Sequence, residues 1–130
     1  MSKILRTCML ALALAATPAC ASIELPNPFA AAQSADQHAY ALLQTYAALV
    51  EEAADIVRDP ATPAAARRAL GQAERSATPA VEALAAALAA YNTARNAGDT
   101  ESARVRLDRA RAEAEGPVAT LASLINTAQR

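Results

Sequence analysis

The side chains of this chain that could do chemistry are few. There are two thiols, Cys8 and Cys20, one imidazole, His38, and a knot of carboxylates at Glu51, Glu52, Asp55 and Asp59. Nucleophilic catalysis needs a Ser, Thr or Cys held against a positioned base. His38 stands alone near the start of a helical stretch and reads as a solvated residue. A di-metal helical bundle needs inward glutamates and a Glu-x-x-His pattern, which does not occur here. Zinc-ligand spacing and a glycine-rich phosphate loop are missing too. Haem would want an axial His or Met, and Met9 belongs to the leading apolar segment. The carboxylate knot falls at the end of a helical stretch, where the dipole disfavours it. Arg58, Arg67 and Arg68 lie near enough in sequence to compensate, so it reads as a solvated, partly paired face rather than a cation site. No catalytic, cofactor or metal site is expected. That leaves the thiol of Cys20.

The setting of Cys20 is distinctive. Residues 1–7 carry Lys3 and Arg6 and no acid, Cys8 to Ala16 form an unbroken apolar run, and Thr17-Pro18-Ala19-Cys20-Ala21-Ser22 follows as small residues around a proline. A charged start, a short apolar middle and a small-residue end are the parts of a secretory signal, expected over residues 1–19. The apolar run is too short to span a bilayer, which takes roughly 20 residues. The next most apolar stretch, Ala83 to Ala90, is shorter still, and the mature chain is expected to have no spanning helix.

Two cleavages are open. Ala19-Cys20-Ala21 offers small residues for a general signal peptidase, with Ser22 as the mature start. Thr17-Pro18-Ala19-Cys20, in turn, resembles the lipobox of bacterial lipoproteins: Ala19 fits before the cysteine, while Thr17 stands where Leu is usual and Pro18 is atypical. The resemblance implies lipid attachment at Cys20. One acyl chain holds a protein to a membrane only marginally, so such an anchor uses two or three, each buried methylene contributing about 0.8 kcal/mol. Ala21 and Ser22 follow without an Asp, which in that class implies sorting to the outer membrane. With Cys8 in the signal, the mature chain has a single thiol and no internal disulfide.

About 110 residues remain after the signal, enough for one domain. Alanine is roughly 30% of the chain, Trp is absent and Gly is scarce, a bias that favours helix. The formal charge of −1 becomes −3 once Lys3 and Arg6 are removed, which argues against a nucleic-acid partner, for which a basic stripe is the footprint. Lys3 is the only lysine. The chain is similar in general character to small, Ala-rich lipoproteins of proteobacteria and their prophages. A peptidoglycan crosslink through a terminal lysine, as some bacterial lipoproteins make, has no residue here to use.

Residues 20–28, with Pro26 and Pro28, read as a flexible tether. Beyond it, apolar residues recur at steps of four and three, the spacing of a helical seam. A first helix is expected from about 29 to 58, with Ala35, Ala39, Leu42, Tyr46, Leu49, Ala53 and Ile56 on the seam. A second is expected from about 63 to 96, carrying Ala66, Leu70, Ala73, Ala77, Val81, Leu84, Leu88 and Tyr91. A third, about 100–128, carries Ala103, Leu107, Ala110, Ala114, Val118, Leu121, Ile125 and Ala128. Thr62 is placed to cap the second helix with Pro63 at its first position, and Gly98 to end it with Asp99 or Thr100 capping the third. Short turns require antiparallel neighbours, so residues 29–130 are expected to form an all-α, up-down-up three-helix bundle. Folding about Gly98 brings Pro79 level with Gly116-Pro117, and matched kinks are expected there. A looser hairpin that completes its core by oligomerising is the alternative.

On the third helix Glu101, Arg104, Asp108, Arg111 and Glu115 alternate in sign at helical spacing, a ladder of weak surface pairs. Tyr46 and Tyr91 fall on seams; Tyr40 does not. The function expected is that of a non-enzymatic exported lipoprotein on the periplasmic side of the envelope. It is anchored at Cys20 and acts as a helical interaction or structural module toward an envelope protein or a second copy. The alternative is a periplasmic or secreted carrier or sensor that holds an apolar small molecule between the kinked helices.

Overall fold

A computed structural model describes residues 34–130; the signal segment, Cys20 and the tether at 20–28 lie outside the described residues. Three helices follow one another, α1 (Ala35–Arg58), α2 (Ala64–Ala97) and α3 (Glu101–Ala128). Each packs against the other two. The architecture is an all-α, up-down-up three-helix bundle, and no helix among the described residues is long and apolar enough to cross a membrane.

The seams of the sequence become the core. On α3, Ala103, Leu107, Ala110, Ala114, Val118, Leu121 and Ile125 are all buried. On α2 the buried set is Leu70, Ala73, Ala77, Val81, Leu84 and Leu88. On α1 it is Ala39, Leu42, Leu49 and Ala53, joined by Ala41, which the seam spacing omits. Tyr46, Ile56 and Tyr91 are half-buried and pack against this core. Ala128 is exposed, because α3 ends there. The largest fully buried side chains are Leu70, Leu84, Leu107, Leu121 and Ile125, all on α2 and α3.

Both prolines stand inside unbroken helices. Each lacks the N–H that would bond the carbonyl four residues back. Pro79 is exposed and Pro117 half-buried, and the seam beside them is tight. Ala77 and Ala114 have 0% exposure, and Val81 and Val118 are buried. A side chain with no accessible area cannot line a void that admits even one water.

The helix ends depart from expectation in three ways. First, α1 begins at Ala35 rather than near residue 29, because Ser34 is extended, with φ −132° and ψ 161°. Second, Thr62 does not cap α2. Its side chain turns back, and Oγ1 donates to the carbonyl of Ile56 at 2.7 Å, while Pro63 takes the N-cap position without a side-chain bond. The Ile56 carbonyl, in the last turn of α1, thereby accepts both this hydroxyl and the backbone N–H of Asp59 at 3.3 Å. Third, Thr100 precedes α3 without a side-chain cap bond. Gly98 does behave as its position suggests. It ends α2 in the left-handed region at φ +83°, which costs an L-residue roughly 1–2 kcal/mol.

Three expectations follow. Leu84→Ala, which empties a site of no exposure, is expected to lower unfolding free energy by about 2–5 kcal/mol in urea titration. Val105→Ala, on an exposed site, should change it by less than about 0.5 kcal/mol. Gly98→Ala meets no steric neighbour, so its expected loss of about 1–2 kcal/mol comes from backbone strain alone. An unchanged midpoint for Gly98→Ala would contradict that turn geometry.

Candidate functional site

Cys20 lies outside the described residues, and so does the segment that would join it to α1. The other groups singled out by type do not converge. Glu51, Asp55 and Asp59 are exposed on and just beyond the last turns of α1. Asp55 pairs with Arg58 at 2.9 Å in an open i,i+3 bridge. Asp59 Oδ1 accepts the N–H of Ala61 at 2.8 Å, shaping the turn. Glu52 accepts a hydrogen bond from the side-chain amide of Gln129, just past α3. Arg67 and Arg68 form no ion pair with these carboxylates among the described residues. Nowhere among those residues do three His, Asp or Glu side chains stand together as metal ligands would. His38 is half-buried on α1.

The alternating charges of α3 form two short runs rather than one ladder. Arg104 reaches Glu101 at 3.1 Å and Asp108 at 3.6 Å, and Arg111 reaches Glu115 at 3.7 Å. Arg109 pairs with Glu113 at 2.9 Å outside that pattern. The hydrogen bond and charge of Glu101, with the charge of Asp108, hold the Arg104 guanidinium more firmly protonated than usual. These are exposed pairs, of the kind that contributes little to stability. Arg111 Nε is shielded from solvent without a hydrogen-bond partner.

The polar contacts that cross between helices were not legible from composition. At one end of the bundle Arg95 of α2 reaches Asp36 of α1 at 3.1 Å, with the guanidinium 6.0 Å above the Tyr91 ring. One turn further along α1, Asn92 donates to the hydroxyl of Tyr40 at 3.3 Å; Tyr40 is 48% exposed. At mid-height the Tyr46 hydroxyl and Thr78 Oγ1 lie 2.8 Å apart. Thr78 also donates to the carbonyl of Glu74, so the Tyr46 hydroxyl donates to Thr78. At the far end stands the contact of Glu52 with Gln129. Among the described residues, every side-chain hydrogen bond that crosses between helices has α1 as one partner. A signal for the first of these was present: Ser34-Ala35-Asp36 places an acid in a first helical turn, where the dipole favours it.

The Asp36 carboxyl is held below its ordinary pKa. The Ser34 hydroxyl, 2.5 Å from Oδ1, lowers its pKa most; partial burial of the carboxylate opposes it, and the backbone N–H groups of Asp36 and Gln37 and the charge of Arg95 add to the lowering. The arrangement ties the entry of α1 to the exit of α2.

An apolar cleft of about 230 Å³ opens at the other end, between Ala66, Ala69 and Leu70 of α2 and Leu124 and Thr127 of α3. It lies away from Pro79 and Gly116, and its volume is below the 300 Å³ or so at which ligand pockets begin.

Because Asp36 has a depressed folded pKa, its contribution is present above the ordinary value of 3.8. It is lost as pH falls through the lower folded pKa. Asp36→Asn is expected to lower stability at neutral pH by about 0.5–1 kcal/mol and to flatten the acid limb of a stability–pH curve. An acid limb identical to that of the parent would contradict it. No family model, curated protein or solved structure matches this chain.

Proposed function

We propose that the chain is the precursor of a non-enzymatic, exported lipoprotein whose bundle serves as an envelope-tethered interaction or structural module. One observation carries the reading: Cys20 follows a charged, apolar and small-residue leader, and the chain after it has no second thiol. Lipid chains on that thiol would hold the protein to the membrane, on the periplasmic side and at the outer membrane, with the first residues after Cys20 as a tether. The bundle would then be presented by α1, the helix nearest the anchor.

The geometry supports a module that acts through its surface. Its core is filled by apolar side chains, chiefly Leu and Ala, and several of its charged groups form short pairs on exposed faces. The partner on this reading is an envelope protein or a second copy, met along those faces. The carrier reading ranks second. The absence of accessible area at Ala77 and Ala114 weighs against an apolar ligand between the prolines, and the cleft at the bundle end is small and open on one side.

Mass spectrometry of the membrane-extracted protein tests the anchor. The parent is expected to begin at Cys20 with an added mass of two or three acyl chains, and Cys20→Ala to be recovered unmodified in the soluble fraction. An unmodified parent terminus at Ser22 would remove the anchor and leave a general export product.

A further inference from the structure

We infer that α1 is a detachable strap, which opens from the α2–α3 hairpin as a unit while the hairpin stays paired. Two independent features of the bundle lead there. The first is the distribution of deep burial. Leu70, Leu84, Leu107, Leu121 and Ile125 all belong to the hairpin, whereas the buried positions of α1 are Leu42, Leu49 and three alanines. Apolar burial holds in proportion to area removed from water, so α1 is held by the smaller share.

The second is the chemistry of attachment. Among the described residues, the cross-helix side-chain hydrogen bonds all reach α1: Asp36 with Arg95, Tyr40 with Asn92, Tyr46 with Thr78 and Glu52 with Gln129. Three of the four lie at exposed sites, and water can replace such bonds when the groups part. The hairpin seam has no such substitute, since parting it would expose leucine and valine. Strap and hairpin thus differ in degree: α1 combines a smaller share of deep apolar burial with replaceable polar contacts, whereas the hairpin is closed by deep apolar packing.

The connection between them suits a hinge. Thr62 bonds back to Ile56, the N–H of Thr62 to the carbonyl of Asp59, and the N–H of Ala61 to the Asp59 side chain. The turn is therefore satisfied within α1 and its own extension, and none of these bonds has to break when α1 swings. Rotation falls at Pro63, which is extended at ψ 141° and precedes α2. Local opening of units with few deep apolar contacts is the general pattern of sub-global unfolding. On the reading of an envelope-tethered module, on which this consequence alone rests, α1 is also the helix that takes any pull from the anchor. Displacement of α1 would uncover the hairpin seam.

Hydrogen–deuterium exchange of the purified chain, followed amide by amide with added urea, tests the strap. Amides at Leu42, Leu49 and Ala53 are expected to exchange at least about tenfold faster than those at Leu84, Leu107 and Leu121, with a shallower urea dependence. Gly98→Ala, whose strain in the α2–α3 turn is the same with α1 docked or detached, should accelerate the hairpin set and leave the α1 set unchanged, whereas Tyr46→Phe and Asp36→Asn, which weaken only the docked state, should accelerate both sets. Equal rates and equal urea slopes in all three helices, or acceleration of the α1 set by Gly98→Ala, would show that the bundle opens as one and overturn the proposal. The mass of the N-terminus is read separately, so loss of the lipid reading would leave this result standing.

Discussion

The constraint on which the structure depends is the size of the alanine methyl. A seam in which alanine alternates with leucine lets helix axes approach closely, but each alanine removes little apolar area from water. Such a bundle must fill its interior with few large side chains and leave no gap. The chain meets this by placing its leucines and isoleucine where two long helices run side by side, at Leu70, Leu84, Leu107, Leu121 and Ile125. It sets alanine where the prolines would otherwise force the backbones apart: Ala77 and Ala114, next to Pro79 and Gly116-Pro117, are fully enclosed. Close packing at those levels is what makes a proline in the middle of each helix tolerable. The prolines lie off the seam, Pro79 exposed and Pro117 half-buried, while the seam positions beside them are closed to solvent.

Much of this was legible in the sequence, and the reason is periodicity. The α3 seam could be read residue by residue because polar side chains separate its apolar positions cleanly. In α1 the same reading missed Ala41, since alanine sits on every face there and its presence does not mark a buried one. The helix ends were harder. Thr62 has the residue type and the position of a cap, but its hydroxyl found a closer acceptor in the carbonyl of Ile56. Which backbone group a threonine hydroxyl bonds depends on how the turn folds back, and spacing does not carry that. The start of α1 was misplaced because alanine and phenylalanine ahead of Ser34 have the composition of a helix. What sets the boundary is the extended backbone at Ser34 and the acid two residues on.

The cross-helix contacts were the least visible. Asp36 and Arg95 are far apart in sequence, and nothing in either local pattern announces the other. Their meeting follows from bundle topology, which puts the entry of α1 beside the exit of α2. The same topology brings Tyr46 to Thr78 and Glu52 to Gln129. Once the three helices are in register, these pairs are neighbours on adjoining flanks, and long side chains close the distance. Register is fixed first by the apolar seam, and polar contacts then select among nearby arrangements of the shortest helix.

Division of labour between the helices also bears on where specificity can reside. Where arginines and carboxylates pair within single helices, as at Asp55 with Arg58, Arg104 with Glu101 and Asp108, Arg109 with Glu113 and Arg111 with Glu115, the surface presents alternating charge with little net field, and a partner approaching it gains little from steering. The regions that differ from this pattern are at the two ends. One gathers Asp36, Tyr40, Tyr91, Asn92 and Arg95 beside the start of α1. The other leaves a small apolar recess between α2 and α3. If the chain is anchored as proposed, the first end lies near the membrane and the second faces away from it, because the tether joins α1 at Ser34 and the helices run the length of the bundle. An anchored bundle of this kind has its orientation set by chain connectivity before any partner is met. On that reading, the anchoring thiol of Cys20 and the surfaces the bundle can offer are separated along the chain, the one ahead of α1 and the others behind it.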